Sequence, residues 1–403
     1  SEWNRLCELS GAGVFATLEW GRTWWTFYGR ARTLEMRLVW KNDSLVAAFP
    51  FFREVLWTGG LPLRVIRLIG CDHGLAPGGL AILPGHEAES VRALSDSLNE
   101  AGSSWDVLHL GVFRGYVNLE KALVDAFADF FDDSDVYVDD DFRPYVVFQM
   151  PATYEEFLDK TAKGRRTTIL RKERAMEREH EVAHTLLTAP GEIIEAFDDF
   201  LDSHDALWRA KGMRGYFNEW PQAKAFHREI VAVLAPLGKV FMTLLEVDGQ
   251  RVAAQYCLRS GDLLHWLQPA RLDAPLWNKF GTGNISLLSM LKAAIEAGIK
   301  VVDGGSSPID YKLELGGSLA SMKAVAVVRR GRSTALRLAA FNAGAWILDK
   351  AYASVWHRRV APFVGAGHAP YARAWIRSRL QIPVKGPMCP PEDAAQAQER
   401  DSG

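Results

Sequence analysis

The chain has 403 residues, of which 48% are hydrophobic and 24% charged, and its 47 basic and 49 acidic side chains leave a net charge of −2. That length suits two domains and a tail, and the composition excludes collagen, a disulfide scaffold and wholesale disorder. A near-neutral total also excludes attraction of the whole protein to nucleic acid and confines any such attraction to local patches.

From the amino end, SEWNRLCELS lacks the basic start and apolar run of a secretory signal. The stretch TLEWGRTWWTFYGR predicts a short helix carrying Trp20, Trp24, Trp25 and Phe27, and LEMRLVWKNDSLVAAFPFF predicts two strands joined at the turn pair Asn42-Asp43. A further strand, RVIRLIG, leads through the Gly/Pro-rich HGLAPGGLAIL to a helix expected at 86–101, stopped by Gly102, and then to the strand DVLHLGVF. FADFFDDSDVYVDDDF holds six aspartates between 132 and 141. It has neither the glycine turn nor the terminal Glu of a calcium loop, so it reads as a solvated acidic connector that closes a first domain at residue 145.

The second domain, 146–333, opens with the strand VVFQM and the basic helix of LDKTAKGRRTTILRKERAMERE. FMTLLEVDGQRVAAQYCLRSGDLLHWLQPA is an antiparallel meander turning at Asp248-Gly249 and Ser260-Gly261. In NKFGTGNISLLSMLKAAIEAG, Leu287, Leu288, Leu291, Ala294 and Ile295 fall on one helical face before Gly298. With the strand IKVVDGG behind it, this predicts a strand–helix–strand crossover. SSPIDYKLELGG and a last strand, MKAVAVVRR, end the domain. Residues 334–403 read as a basic helical tail whose last residues, about fifteen, have a disordered composition.

Four cysteines, Cys7, Cys71, Cys257 and Cys389, form no C-x-x-C pair. Free thiols in a reducing compartment fit, and no uncharged apolar stretch reaches the ~18 residues of a membrane span, so a cytoplasmic protein is expected. His204, His227 and His265 have no metal-ligand spacing, no G-x-S-x-G elbow is present, and no metal is expected.

Two stretches can carry chemistry. Lys279-Phe280-Gly281-Thr282-Gly283-Asn284 precedes the crossover helix, where glycines free the backbone amides and the helix dipole favours an anion such as a pyrophosphate. Asp303 ends a strand beside Gly304 and Gly305, positioned to hold or deprotonate an amine. Tyr311 offers a proton donor and Lys312 a cation for an oxyanion or phosphate. A turn cap is the structural alternative for Asp303, and a half-buried core ring for Tyr311.

Together, the run from Phe241 to Gly316, the basic helix and SHDALWRAKGMRGYF resemble the CelD-like and FemAB-related acyltransferases of the GNAT superfold, with weaker likeness back to residue 14. The chain departs from the family pattern where SerPro before the helix glycine is Lys279-Phe280. The resemblance implies an α/β (α+β) fold of two GNAT-like domains, each a mixed, mostly antiparallel sheet flanked by helices. It implies an N-acyltransferase acting on an amine or hydroxyl of a small molecule or a cell-envelope or exopolysaccharide precursor. Asp303, Tyr311 and Lys312 are then the catalytic candidates. Gln268 and the loop Lys279, Phe280, Gly281, Thr282, Gly283 and Asn284 would meet acyl-CoA, acetyl-CoA in the simplest case. Trp208, Arg209, Gln255, Trp266, Gly304 and Gly305 would meet the substrate.

FemAB-type relatives draw instead on aminoacyl-tRNA, whose phosphates could be met by Lys160, Lys163, Arg165, Arg166, Arg171, Lys172, Arg174 and Arg178, although Glu173, Glu177 and Glu179 interleave with them. Arg329 to Leu380 holds ten Lys or Arg against one acid, with Trp346, Trp356 and Trp375 among them. This segment either lies on an anionic membrane near a lipid-linked acceptor or packs on the catalytic domain. A non-catalytic GNAT-like accessory protein of polysaccharide synthesis is the remaining class. The oligomeric state has no signature in the sequence.

Overall fold

The computed structural model describes residues 1–72, 79–100, 105–114, 120–218, 220–306, 309–364 and 371–380. The middle of the Gly/Pro-rich stretch, the helix stop at Gly102, Cys389 and the terminal segment expected to be disordered lie outside these residues. The chain divides into two units. Unit 1 comprises Ser1–Arg143, Trp220–Ala223 and the described residues from Ser321 to Leu380, and unit 2 comprises Pro144–Glu219 and Lys224–Ala320.

Unit 1 opens with α1 (Glu2–Ser10) and α2 (Leu18–Tyr28), capped by the side chains of Ser1 and Thr17. β1 (Thr33–Lys41) and β2 (Ser44–Leu56) form the expected hairpin, with Asn42 and Asp43 at φ 48° and 61° as a two-residue turn of this kind requires. β3 (Leu63–Leu68) continues antiparallel on β2, and β4 (Ala81–Ile82) also pairs with β2. After α3 (Glu87–Glu100), β5 (Val107–Arg114) returns parallel to β3, and α4 (Glu120–Phe130) follows. The aromatic helix earns its composition by burial: Trp24 stacks on Phe52 at 5.4 Å.

The acidic run is not a connector. Ser134–Gln149 is one strand, β6, and the aspartates at its start are held by arginines: Asp133 accepts from Arg329 Nε at 2.8 Å and Asp135 from Arg330 Nε at 2.7 Å. These aspartates stay solvent-exposed, as their composition suggests, and the pairs offset part of their mutual repulsion.

Unit 2 takes the second part of β6, then α5 (Tyr154–Lys160), α6 (Lys163–Glu179), β7 (Val182–Leu187), α7 (Pro190–Ala210) and α8 (Ala223–Leu234). The meander follows as β8 (Val240–Val247), β9 (Gln250–Ser260) and β10 (Leu263–Arg271). After the short α9 (Pro275–Asn278), the crossover helix α10 (Thr282–Glu296) leads to β11 (Val301–Asp303) and α11 (Asp310–Glu314). The strand order is β7-β8-β9-β10-β11-β6, and only β10 and β11 are parallel. As the periodicity predicts, α10 buries Leu287, Leu288, Leu291 and Ala294 against Leu245, Leu264 and Val302 of the sheet.

The chain then returns to unit 1. β12 (Ser318–Arg329) pairs antiparallel with β5 from Met322 to Val328, and is followed by α12 (Arg332–Lys350), π-type turns over Ala351–Val360, α13 (Ala361–Val364) and α14 (Ala372–Ser378). The segment that reads in sequence as a separate tail is therefore integral to unit 1. Phe341 is buried with Leu56, Leu63, Val65, Val107 and Val328. The α12 backbone presses on the turn after β2, where a Cβ on Gly59 would stand 2.0 Å from the carbonyl oxygen of Ala340 and one on Gly344 2.2 Å from that of Thr58. Asp106, fully buried, accepts from Thr334 Oγ1 at 3.2 Å and Arg337 Nη1 at 3.0 Å. The opposite side of α12 leaves Leu336, Trp346 and Ile347 exposed. Among the described residues, no helix is long and apolar enough to cross a membrane.

Candidate active site

Asp303 ends β11 in register with His265 of the parallel neighbour β10, and both are buried. Its Oδ1 accepts from the Gly305 amide at 2.9 Å, and its Oδ2 lies 3.4 Å from His265 Nδ1. Asp303 is thus a turn cap through one oxygen while the other faces an imidazole. His265 has no local sequence signal, because the pairing depends on a parallel register across 38 residues. The glycines beside Asp303 have different reasons. A Cβ on Gly304 would lie 3.0 Å from Phe148 and 3.2 Å from the Val146 carbonyl, so what approaches closely there is β6 rather than a substrate. Gly305 takes φ 74° with open space around it.

Tyr311 and Lys312 gather around Trp266, the next residue of β10 after His265. The rings of Tyr311 and Trp266 meet edge to face at 6.5 Å, and Lys312 Nζ, buried, stands 5.1 Å from the Trp266 ring centre and 5.7 Å from that of Tyr311. Burial pushes the Tyr311 phenol well above its usual range, only partly opposed by the charge of Arg165, so it keeps its proton at neutral pH. Trp266 is held by a short relay in which its Nε1 donates to Gln255 Oε1 at 2.9 Å and Gln255 Nε2 donates to Ser286 Oγ of α10 at 3.1 Å.

The donor-loop candidates separate by role. Gly281 caps α10 at φ 69°, no side chain caps the helix, and a Cβ there would lie 3.6 Å from Lys172 Nζ. A Cβ on Gly283 would lie 3.2 Å from the Arg271 side chain, and Asn284 Oδ1 accepts from Arg165 Nη2 at 3.0 Å. Thr282 is buried, its hydroxyl without a partner among the described residues. Phe280 does not line the loop. It is core, edge to face with His180 at 5.8 Å. Lys279 is drawn to Glu179 Oε2 at 2.8 Å. Gln268 follows a register shift in β10 and lies beside His204 of α7.

On α7, Trp208 Nε1 donates to His204 Nε2 at 2.9 Å, while Arg209 is exposed, its Nε 3.4 Å from the Asp205 carbonyl. Burial lowers His204 to about 4 and His227 of α8 to about 3, so both are neutral. No group of metal-ligating side chains occurs among the described residues.

Residues 163–313 match the model of the acetyltransferase (GNAT) domain family. No curated protein matches the chain by sequence. Among solved structures, FemX aligns with a TM-score of 0.55 at 11% identity, over 80% of this chain and 94% of FemX. A tandem GNAT protein from the clavulanic acid biosynthesis pathway aligns with a TM-score of 0.39 at 11% identity, over 81% of this chain and 93% of its own. Similarity to the GNAT domain family is therefore confined to residues 163–313, on a fold that the chain shares with FemX.

Proposed function

We propose that the protein is an N-acyltransferase that takes an acyl group from acyl-CoA and passes it to an amine, or a hydroxyl, of a small molecule or a cell-envelope or exopolysaccharide precursor. The observation that carries the donor assignment is the gathering of Lys172, Arg271 and Arg165 at the uncapped first turn of α10. Free amides, the helix dipole and three cations suit a pyrophosphate. Asp303 orients the acceptor nitrogen and accepts its proton as the C–N bond forms. Tyr311, still protonated, donates to the sulfur as the C–S bond breaks, and Lys312 stabilises the intervening oxyanion. Transfer is direct, without an acyl-enzyme.

A second donor is favoured by one feature of α6. Lys163, Arg171, Arg174 and Arg178 recur on its exposed side over about 22 Å, a stripe that suits the phosphates of an aminoacyl-tRNA. Arg165 and Arg166 are engaged elsewhere, with Asn284 and with Asp159.

Isothermal titration of acetyl-CoA, longer acyl-CoAs and charged tRNA decides between them. Valine at Gly281 would strain a backbone at φ 69°, so Gly283→Val and the pair Lys172→Met with Arg271→Met are the better probes. Acyl-CoA affinity is expected to fall about tenfold or more in both. Unchanged affinity in the variants, or no acyl-CoA binding by the wild type, would remove this donor site. Binding of tRNA that disappears in Arg171→Ala with Arg174→Ala would replace it with the second.

The exposed Leu336, Trp346 and Ile347, between Arg332 and Lys350 of α12, support contact with an anionic membrane. Flotation with phosphatidylglycerol vesicles is expected to carry the wild type and not Trp346→Glu. Equal flotation of both removes that contact.

A further inference from the structure

Unit 1 repeats, strand for strand, the arrangement that carries Asp303. Its order β1-β2-β3-β5-β12 matches β8-β9-β10-β11-β6: two antiparallel pairings, one parallel, one antiparallel. Within the parallel pairs the registers run Val65↔Val107, Ile66↔Leu108, Arg67↔His109 in one unit and Leu263↔Val301, Leu264↔Val302, His265↔Asp303 in the other. The third pair is polar and buried in both. Two residues beyond it stands a glycine in the left-handed region, Gly111 at φ 90° and Gly305 at φ 74°. Arg67 and His109 thus occupy the place in unit 1 that His265 and Asp303 occupy in unit 2.

We propose that Arg67 and His109 form a second ligand site, one that takes a small oxyanion, a carboxylate or a phosphate group. Arg67 is fully buried, and its Nη1 donates to Glu54 Oε1 at 2.9 Å and to the Arg377 carbonyl at 3.2 Å. The other edge of the guanidinium, Nε with Nη2, has no partner among the described residues. The same is true of Arg32 Nη1 and of both ring nitrogens of His109. That edge presents two parallel N–H groups, the geometry that a carboxylate or phosphate meets bidentately. Buried donors left unmet are costly, and this many at one place is not what an apolar core or a closed ion-pair network provides.

The local charge agrees. Arg32 pairs with Glu54 at 3.2 Å and with Asp72, and the two carboxylates balance Arg32 and Arg67. Arg377 adds a third guanidinium, its Nε 3.7 Å from Glu54, and leaves one positive charge over. Arg32 is fixed over the Phe52 ring at 4.5 Å, so its free Nη1 is held in place. Burial and the charge of Arg67 keep His109 neutral down to about 3, so the imidazole offers the anion one N–H and no competing charge. His265 and Asp303 make a site for a nitrogen nucleophile, and the same scaffold with Arg and His makes one for an anion.

The test uses binding to the full chain and does not depend on the acyltransfer reading. Isothermal titration and thermal shift are measured with inorganic phosphate and, separately, with acetate. Saturable binding of one of them is expected, weakened tenfold or more in Arg67→Lys, which keeps the charge but loses the two-donor edge, and retained in Lys172→Met with Arg271→Met. His109→Gln serves as the second variant should Arg67→Lys unfold. Which anion saturates tells a carboxylate source from a phosphate one. The proposal is overturned if neither anion binds saturably, or if binding is untouched by Arg67→Lys and His109→Gln or is lost only with the α10 cations.

Discussion

Replacing Asp303 with asparagine is expected to lower turnover on the order of a hundredfold or more while leaving donor affinity close to wild type. Asparagine retains an oxygen for the Gly305 amide, so the turn persists. What it loses is the charge facing His265 and the capacity to take a proton. The substitution therefore separates the two roles of one side chain. Steady-state thiol release with an amine acceptor, together with acyl-CoA titration of the variant, gives the answer. Wild-type turnover would leave Asp303 as a cap alone. Equal losses of turnover and donor affinity would mean that the site had collapsed rather than lost its chemistry.

The second large effect is expected far from α10. A chain that ends before α12, or one carrying Phe341→Ala, should melt markedly lower, because Phe341 fills a core shared by β2, β3, β5 and β12. Loss of a fully buried phenylalanine costs about 3–5 kcal/mol. Asp106 supplies a pH signature for the same anchor. Burial opposes its ionisation, but hydrogen bonds and charge from Arg64, joined by Arg337, outweigh that and hold it at about 2. A carboxylate depressed in the folded state contributes stability above its unfolded value and loses it as pH falls through the folded one. The contribution is therefore full above about 4 and gone below about 2, and amounts to ~2 kcal/mol. Asp106→Asn should unfold more easily at neutral pH and lose its deficit at pH 2, as measured by urea titration at the two pH values. A truncated chain as stable as the full one would show α12 to be dispensable.

What the sequence revealed and what it hid follow from the range of the forces involved. The hairpins were legible because Asn42-Asp43 and Asp248-Gly249 encode backbone with positive φ in two residues, and α10 because its apolar spacing has one period over four turns. The acidic run misled because charge dominates its composition, while the arginines that neutralise it lie almost 200 residues away. The place of α12 was hidden for the same reason: Arg337 and Asp106 meet across 231 positions with no local mark. At the candidate site, Gly281 and Gly283 announced an uncapped helix start, but Phe280 between them and Lys279 could not be told from a loop residue without its packing. Lys172 and Arg271, the cations that give the loop its charge, come from other elements.

Because unit 1 is built mainly from residues 1–143 and the described residues after 320, while nearly all of the chain between them makes unit 2, the order of synthesis and the order of folding differ. A chain emerging from the ribosome first exposes β1 to β5, which lack β12 and α12. Unit 2 has all of its strands once residue 320 is out, and domains fold as units as they emerge. The amino-terminal half, with Phe52, Val65 and Val107 ready for burial, therefore waits through the synthesis of some two hundred further residues before its last strand arrives. At about 5–20 residues per second that is on the order of ten to forty seconds of exposed β-strand edge. During that interval β5 has no strand on the side that β12 later takes, a vulnerability that belongs to the nascent chain and vanishes from the finished molecule.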